Sequence, residues 1–220
     1  MIWLDFKGAI ETFSACILIS PTSPRCYVLR GYSYYKNNNL DLAIADYDKA
    51  VERASQDPGI YQSRAGLLTL RGDNLETKKE GSGKADLDKA LADYTMAITL
   101  NPKRIQSYIA RATYFRTIGD IDSAIKDYEK ITEIEPTVIE HYRTRAEFYR
   151  TLARPELAIA DYTKAIQIEP KNAKLYYERA GMYLERADRK SAAADYRKAL
   201  EIDPNYTNAR EALKNFEPQP

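Results

Sequence analysis

The stretch "YFRTIGDIDSAIKDYEKITEIEP" at residues 114–136 decides the fold, because it has the pattern of an amphipathic helical hairpin and it recurs. Thirty-four residues later the chain reads "FYRTLARPELAIADYTKAIQIEP", ending at Pro170, and 34 residues after that "MYLERADRKSAAADYRKALEIDP", ending at Pro204. A fixed period of this length is typical of a repeat architecture, in which each copy buries its apolar face by stacking on its neighbours. The sequence therefore predicts an all-α chain of stacked helix pairs.

Each copy places the same residue types on the inner faces of two helices when it is numbered from the third residue after its proline. In the first helix, tyrosine stands at position 4, a small residue at position 8, and an aromatic residue or leucine at position 11. In the second helix, alanine recurs at position 20 and tyrosine at position 24. Small residues let the two helices approach closely, and aromatic rings fill the space beside that contact. The residues at position 8 are Gly31, Ala65, Ala112, Ala146 and Ala180, and those at position 24 are Tyr47, Tyr94, Tyr128, Tyr162 and Tyr196.

This pattern resembles the tetratricopeptide repeat (TPR) family over residues 1–206, with tyrosine for the family's usual tryptophan at position 4 and arginine for its usual leucine at position 7. The resemblance implies a right-handed superhelical solenoid of antiparallel helix pairs whose first helices line a concave groove. It predicts a partial repeat at 1–23, with its second helix at about 9–20, and a capping helix and tail at 207–220. The five full repeats, within 24–206, are 24–57, 58–104, 105–138, 139–172 and 173–206.

The repeat at 58–104 has 13 more residues than the others, inserted between its two helices near 74–88. The added stretch is charged and contains a Gly-Ser-Gly sequence at 81–83. This composition is typical of a surface loop, and we predict a mobile insertion that folding does not require. The alternative is that the insertion contacts a partner.

The two ends of the array depart from the repeat. Residues 9–20 keep the second-helix pattern, but too few residues precede them to form a first helix. Trp3 and Phe6, or a second copy of the chain, are expected to cover the apolar face that this leaves, and a truncated N-terminus is the third explanation. At the other end, Arg210 and Lys214 stand at positions 4 and 8, which predicts a polar capping helix.

Two charged positions are constant in the five full repeats. Position 7 is always arginine and position 23 is always aspartate, and each adjoins the apolar face of its helix. Because the helices are antiparallel, a guanidinium and a carboxylate are expected to meet near the middle of each hairpin. We predict a structural ladder that fixes the register between repeats and does not bind ligand. Its members are Arg30, Arg64, Arg111, Arg145, Arg179, Asp46, Asp93, Asp127, Asp161 and Asp195.

Residues on the groove side of the first helices are the candidates for ligand binding. The repeat explains most of the 18 tyrosines as core residues, but Tyr32, Tyr35 and Tyr177 stand at groove positions. The repeat also requires no cations at positions 2, 5 and 12, where the chain has a locally basic stripe. Packing between repeats and a solvated charged face are the structural alternatives. The predicted peptide-binding residues are Tyr32, Tyr35, Gln62, Gln106, Arg116, Arg143, Arg150, Lys174 and Tyr177.

Composition limits the other possibilities. The 33 Lys and Arg residues nearly balance the 32 Asp and Glu residues, so the net charge of +1 lacks the basic excess of a nucleic-acid binder. Asp5, Lys7 and Glu11 interrupt the apolar region that a secretion signal needs, and no apolar run approaches the ~20 residues of a membrane helix. Cys16 and Cys26 are too few for a disulfide framework and fit a reducing compartment. We therefore expect a cytoplasmic protein without a membrane span.

These observations favour a non-catalytic scaffold that binds a peptide or protein segment, acidic or carboxylate-terminated, in its concave groove. The alternative is an architectural protein that assembles as a homodimer through its incomplete N-terminal repeat. The single histidine, His141, cannot form a Ser/His/Asp or Cys/His set at any recurring position. We accordingly expect no enzyme activity, cofactor or metal.

Overall fold

The structure, a computed structural model, describes residues 5–78 and 83–216. Within these ranges every regular element is a helix, which confirms the all-α class. None of these helices is long and apolar enough to cross a membrane. The helices are α1 (Phe6–Ile19), α2 (Pro24–Lys36), α3 (Leu40–Arg53), α4 (Pro58–Lys78), α5 (Lys84–Leu100), α6 (Ile105–Thr117), α7 (Ile121–Ile134), α8 (Ile139–Thr151), α9 (Pro155–Ile168), α10 (Ala173–Glu185), α11 (Arg189–Ile202) and α12 (Thr207–Lys214).

The helices form two compact units, unit 1 (Met1–Asp127) and unit 2 (Tyr128–Pro220), and α7 passes from one to the other. In unit 1 the first and second helices of a repeat pack together as the pairs α2–α3 and α4–α5, and in unit 2 as α8–α9 and α10–α11. Within a unit each pair also contacts the next, through α3 and α4 in unit 1 and through α9 and α10 in unit 2. Each unit is thus a stack of helix pairs.

The small residues at positions 8 and 20 hold the paired helices close. Ala65 and Ala90 are both fully buried, as are Ala180 and Ala192 in the corresponding pair of unit 2. Gly31 has the same role in α2, since a Cβ atom there would lie 3.1 Å from the ring of Tyr47. A larger side chain at these positions would separate the helices and open the core.

The tyrosine at position 4 connects four of the five full repeats to the proline before them. In four repeats its hydroxyl donates a hydrogen bond of 3.1 Å to the carbonyl oxygen of the proline six residues earlier. In the capping helix Arg210 donates to Pro204 in the same way. The bond satisfies a carbonyl in the turn between repeats, which explains why tyrosine serves here in place of a ring without a hydroxyl.

In four of the five full repeats, the residue at position 15 has a left-handed backbone conformation, and the first helix ends just before it. Asn38, Gly119, Ala153 and Ala187 have φ angles of 60°, 78°, 53° and 61°. The next residue donates its amide to the carbonyl five residues earlier, as Asp120 does to Phe115 at 2.8 Å. This is the C-terminal turn in which glycine is strongly favoured.

The repeat with the insertion is different, and here the predicted surface loop is corrected. Gly72 stands at position 15, yet α4 continues through it to Lys78, and α5 starts early, at Lys84. The described part of the insertion therefore lengthens both helices. Residues 79–82, which include most of the Gly-Ser-Gly sequence, lie outside the described residues.

The lengthened helices α4 and α5 approach each other closely where Gly72 of α4 meets Gly83, the residue before α5. A Cβ atom on Gly83 would collide with the carbonyl group of Gly72, so the two backbones touch. Arg71 donates hydrogen bonds of 2.7 and 2.8 Å to Asp86 and one of 2.8 Å to Asp41. Because these contacts are those of a structural element, deletion of the insertion should destabilise the fold.

The N-terminal helix is held by a bond that the sequence did not predict. Cys16 of α1 and Cys26 of α2 form a disulfide with a Cα–Cα distance of 5.8 Å, in place of the two reduced thiols that were expected. Arg30 also donates to the Ser14 hydroxyl at 3.2 Å. The predicted cover by Trp3 falls on residues 1–4, outside the described residues.

The C-terminal helix α12 closes unit 2 with one apolar side. Ala209 is fully buried, and the Phe216 ring lies 6.0 Å from that of Tyr196. Arg189 lies over the Phe216 ring at 4.7 Å and donates to the carbonyl of Asn215 at 2.8 Å. The outward positions of the helix are polar, as a capping helix requires.

Candidate functional site

The predicted ladder residues are brought together in all five repeats. Each arginine donates two hydrogen bonds, of 2.6 to 2.9 Å, to both carboxylate oxygens of its aspartate. The aspartates are buried within the hairpins and the arginines are half-buried or buried. The pairs are Arg30–Asp46, Arg64–Asp93, Arg111–Asp127, Arg145–Asp161 and Arg179–Asp195.

The burial of these pairs changes the electrostatics of an aspartate in unit 2. Burial raises the pKa of Asp161 above its ordinary value, although Arg145 acts against this. Arg145 also donates to the Thr132 hydroxyl at 3.0 Å, so the guanidinium links the pair to a neighbouring helix. Side chains with their polar atoms paired inside a hairpin are unsuited to ligand binding, so a ligand site is expected elsewhere on the chain.

The groove side of unit 1 is built by the first helices α2 and α4, with part of α6. These helices run in the same direction because each repeat contributes an antiparallel pair, so equivalent positions lie side by side. Positions 9 and 12 of α2 carry Tyr32 and Tyr35, which are 48% and 37% exposed. Such exposure of large rings is a feature of binding surfaces, since the core positions of the repeat bury theirs.

A cavity of about 450 Å³ lies on this side of unit 1, and we call it the tyrosine cavity. Tyr32 and Tyr35 form one wall, and Leu67 and Leu70 of α4 form another. Lys36 lies 5.4 and 5.2 Å from the centroids of the two tyrosine rings, which holds the rings together. Among the described residues the lining contains no charged side chain, so the cavity suits an apolar group.

Glycine keeps the tyrosine cavity open. Gly66 stands at position 9 of α4, where α2 carries Tyr32. The atom nearest to a Cβ atom built on Gly66 would be the Tyr94 hydroxyl oxygen, at 3.8 Å, so the space at this position is open.

Tyr47 and Tyr94 also line the tyrosine cavity, and burial raises the pKa of both hydroxyl groups. Both rings are therefore uncharged at neutral pH.

Two further cavities continue the tyrosine cavity along α2 and α4. One, of about 520 Å³, shares Gln62 and Ser63 with it and is flanked by Arg25 and Arg104; we call it the arginine cavity. The other, of about 190 Å³, shares Tyr35 with it and reaches two asparagines; we call it the asparagine cavity. The three cavities form one groove, which we call the unit 1 groove.

The predicted basic stripe lies mostly in unit 2, where its charges are paired. Arg143 donates to both oxygens of Glu178 at 2.6 and 2.8 Å and to both oxygens of Glu140 at 2.7 and 2.8 Å. Lys174 lies 3.8 Å from Glu178. The Glu178 hydrogen bond is the main cause that raises the pKa of Arg143. In the free protein this part of the stripe is therefore neutralised.

Arg150, another cation of the stripe, is also paired. Arg150 donates to Glu147 at 2.9 Å, and the buried Tyr162 hydroxyl donates to the same carboxylate at 2.7 Å. Burial acts to raise the pKa of Glu147, but the hydrogen bonds from Tyr162 and Arg150 hold it below its ordinary value. Burial and the Glu147 carboxylate raise the pKa of Tyr162.

The remaining predicted residues have different surroundings. Tyr177 is half-buried, with its ring 5.6 and 5.4 Å from those of Tyr196 and Tyr206, so it packs within unit 2. Gln62 accepts hydrogen bonds from Arg104 at 3.4 Å and from Ser107 at 3.3 Å, within unit 1. The last two, Gln106 and Arg116, are exposed near the two ends of α6.

Sequence reasoning missed two features of these surfaces. Glu178 stands at position 6, outside the positions assigned to the groove, so its charge was not set against that of Arg143. Leu67 and Leu70 were not considered because a leucine in a helix is usually a core residue, yet Leu70 is 40% exposed. Its exposure is apparent only once the helix pairs are in place. Among the described residues no cluster of three or more metal-binding side chains occurs.

One family model matches most of the repeats. It is described as Tetratricopeptide repeat, and it matches residues 24–57, 105–138, 144–172 and 173–206, more than half of the chain. No curated protein gave a significant match.

Solved structures share the fold at low sequence identity. YrrB, described as a TPR protein with an unusual peptide-binding site, matches with a TM-score of 0.58 and 18% identity, over 94% of this chain and 100% of that one. The C-terminal part of a TPR repeat-containing protein from Cytophaga hutchinsonii matches with a TM-score of 0.69 and 20% identity, over 90% and 74%. MamA matches with a TM-score of 0.58 and 17% identity, over 90% and 97%. The repeat positions, the helix pairs and the matched family model together show that this chain belongs to the tetratricopeptide repeat family.

Proposed function

We propose that the chain is a non-catalytic scaffold that binds a peptide segment of another protein in the unit 1 groove. The observation that carries this proposal is the continuous set of three cavities along α2 and α4. The central cavity, at about 450 Å³, is within the ~300–1,000 Å³ range of ligand pockets in proteins. The exposed side chains of Tyr32, Tyr35 and Leu70 at this cavity would lose contact with water when an apolar side chain enters.

The repeat architecture supports a binding role over a catalytic one. TPR chains are generally interaction scaffolds. YrrB is a protein of this fold with a peptide-binding site, and by analogy the same kind of ligand is proposed here. Micromolar affinity, about −8 kcal/mol, is the expected range for a groove that holds a short segment by a few anchors.

Closing the tyrosine cavity tests the proposal. Gly66→Leu adds a side chain at the cavity, and Gly181→Leu makes the same change at position 9 of α10, where a Cβ atom meets nothing within 4 Å. Peptides are selected on the wild-type protein from a displayed library, and their affinity is measured by fluorescence anisotropy. Gly66→Leu should weaken binding about tenfold or more, and Gly181→Leu should leave it within about twofold.

Two controls make the result interpretable. Circular dichroism should show the same helicity for both variants, because both positions are at the helix surface. Gly66→Ala should keep binding, since its Cβ atom meets the Tyr94 hydroxyl at an ordinary 3.8 Å and leaves the cavity open. Equal affinity of Gly66→Leu and the wild type, or a library from which no peptide is enriched, would contradict the proposal.

The predicted binding of an acidic segment to the basic stripe of unit 2 stays a prediction. A carboxylate that reaches Arg143 must take the place of Glu178 or Glu140, which hold the guanidinium at 2.6 to 2.8 Å. Such an exchange replaces one charge-assisted hydrogen bond with another and gains little affinity. For this reason the unit 1 groove, and not the stripe, is proposed as the main site.

Self-association is the second candidate function, and α1 favours it. No residue of α1 is fully buried, and Leu18 and Ile19 at its end are 84% and 83% exposed. A second copy of the chain is the proposed partner for this face. Leu18→Glu/Ile19→Glu should shift the sedimentation coefficient to that of a monomer, whereas Leu42→Glu/Met96→Glu should not. A wild-type protein that sediments as a monomer at every concentration would exclude this candidate.

A further inference from the structure

The two ends of the unit 1 groove differ in charge, and this difference specifies a ligand. Arg25 and Arg104 flank the arginine cavity, where Asp57 is the one acidic residue among the described residues of the lining. The Asp57 carboxylate already accepts the Gly59 amide at 2.8 Å. Two guanidinium groups against one engaged carboxylate leave this end positive, and the amino-terminal turns of α2 and α4 add to the potential because they begin here.

The other part of the groove is apolar. The tyrosine cavity, whose described lining has no charged residue, lies further along the same two helices and is lined by the exposed rings of Tyr32 and Tyr35 and by the exposed Leu70. A ligand that fills both parts needs a negative group at one end and a large apolar side chain at the other.

Helix geometry fixes the distance between the two parts. Arg25 and Tyr32 are seven residues apart on α2, and Gly59 and Gly66 are seven apart on α4. At a rise of about 1.5 Å per residue the two parts are roughly 10 Å apart. An extended peptide advances about 3.3 Å per residue, so roughly three residues span this distance. The full groove, from Arg25 to Asn38, is about 20 Å long and holds about six extended residues.

We propose, on the basis of the proposed function, that the unit 1 groove recognises an extended, internal acidic segment in which an Asp or Glu side chain and a large apolar side chain are three residues apart. The acidic side chain lies between Arg25 and Arg104, and the apolar side chain enters the tyrosine cavity. Gln62 and Ser63, which the two cavities share, face the peptide backbone between the two side chains.

The test uses an array of ten-residue peptides with acetylated and amidated ends, on a background of serine. Each peptide contains one Glu and one Leu, in either order, at separations of one to eight residues. The fluorescently labelled 220-residue chain should bind best at a separation of three, and the matching Gln/Leu peptide should bind at least about fivefold more weakly. A salt titration should reduce the difference between the Glu and Gln peptides.

Two variants test whether the preference for Glu over Gln, and the binding itself, depend on the unit 1 groove. Arg25→Glu should remove the preference for Glu over Gln, while Arg197→Glu, an equal change of charge at an exposed residue of α11, should preserve it. Gly66→Leu should weaken the Glu and the Gln peptides alike, because it acts on the apolar part.

Several results would overturn the inference. Equal binding at all separations, a maximum at seven as expected for a helical ligand, or a preference for Lys over Glu would each contradict it. Binding that requires a free C-terminal carboxylate would assign the positive end to a chain terminus instead of an acidic side chain. If Gly66→Leu weakens all peptides but Glu and Gln bind equally, the inference fails and the proposed function stands. If Gly66→Leu has no effect, both fail.

Discussion

At the scale of single residues, paired charges inside the hairpins are the most regular feature of this chain. Each of the five arginine–aspartate pairs is bidentate, and the aspartate is buried in every one of them. Charges removed from water are costly to leave alone, so each pair matters most when one member is lost. We therefore propose that each pair holds the two helices of its own repeat in register.

Asp127→Ala tests the strength of one pair. Asp127 is 3% exposed and accepts two hydrogen bonds from Arg111, at 2.7 and 2.9 Å. Its removal leaves a half-buried guanidinium without a carboxylate, which should lower the free energy of unfolding by about 1–3 kcal/mol. Glu52→Ala, which breaks the exposed pair with Lys49, should cost less than about 0.5 kcal/mol. If urea unfolding shows that both variants lose the same free energy of unfolding, burial of the Arg111–Asp127 pair has no energetic effect.

Glu147→Gln tests the pH dependence. The lowered pKa of Glu147 means that its charged form stabilises the fold above its unfolded pKa, and that this contribution is lost as pH falls through the folded pKa. Glutamine can still accept the Tyr162 hydrogen bond, so the variant removes chiefly the charge. Because the side chain is 50% exposed, the loss at neutral pH should be below about 1 kcal/mol. As pH falls below ~4.3, the free energies of unfolding of the wild type and the variant should therefore become equal. If the difference in free energy of unfolding between the wild type and Glu147→Gln grows as pH falls, the stabilising pair between Glu147 and Arg150 is contradicted.

At the scale of elements, the helix-ending turn shows how far sequence reasoning could go. The 34-residue period predicted where the helix pairs would lie, because the proline and alanine positions repeat without exception in the last three full repeats. The insertion was misread because Gly72, at a position that ends the helix elsewhere, does not end α4. Whether a glycine ends a helix depends on what packs against it, and here Leu87 and Gly83 do. Local propensity could not predict that contact, because it joins two different helices.

Ala153→Gly should stabilise the turn after α8. Ala153 has a φ of 53°, a conformation that costs an L-residue roughly 1–2 kcal/mol and glycine almost nothing. After the entropy of glycine in the unfolded chain is subtracted, a gain of about 0.5–1 kcal/mol is expected in thermal or urea unfolding. Ala160→Gly, at an exposed position inside α9, should instead destabilise by about 0.5–1 kcal/mol. A loss of stability in both variants would contradict the left-handed assignment.

Reduction of the disulfide should release α1 before the repeats unfold. The bond closes a loop between residues ten apart, which corresponds to about 2–3 kcal/mol of lost chain entropy in the unfolded state. No residue of α1 is fully buried to compensate for its loss. With a thiol reductant, amide hydrogen exchange in Phe6–Ile19 should become faster, while that in Arg189–Ile202 should not change. Unchanged protection of α1 would show that packing, and not the disulfide, holds this helix.

At the scale of the whole molecule, the fold and the candidate site differ in how well the sequence predicts them. The fold rests on residues that recur every 34 positions, so each copy confirms the interpretation of the others. The candidate site is formed by residues that do not recur from repeat to repeat. Whether they are exposed or paired depends on residues of other helices. Tyr32 and Tyr35 were predicted at the groove because they break the repeat pattern. The pairing of Arg143 with Glu178 was not predicted, because the two residues are 35 positions apart in the sequence.

The central claim is that the unit 1 groove binds a peptide segment, and chemical-shift mapping tests it most directly. Isotope-labelled protein is titrated with a peptide selected on the wild type, and backbone and methyl shifts are followed. We expect the largest shift changes on Pro24–Lys36 and on the α4 residues around Leu67 and Leu70, with a Kd from the titration equal to that found by anisotropy. Changes confined to residues 128–216, or to the second helices α3 and α5, would contradict it.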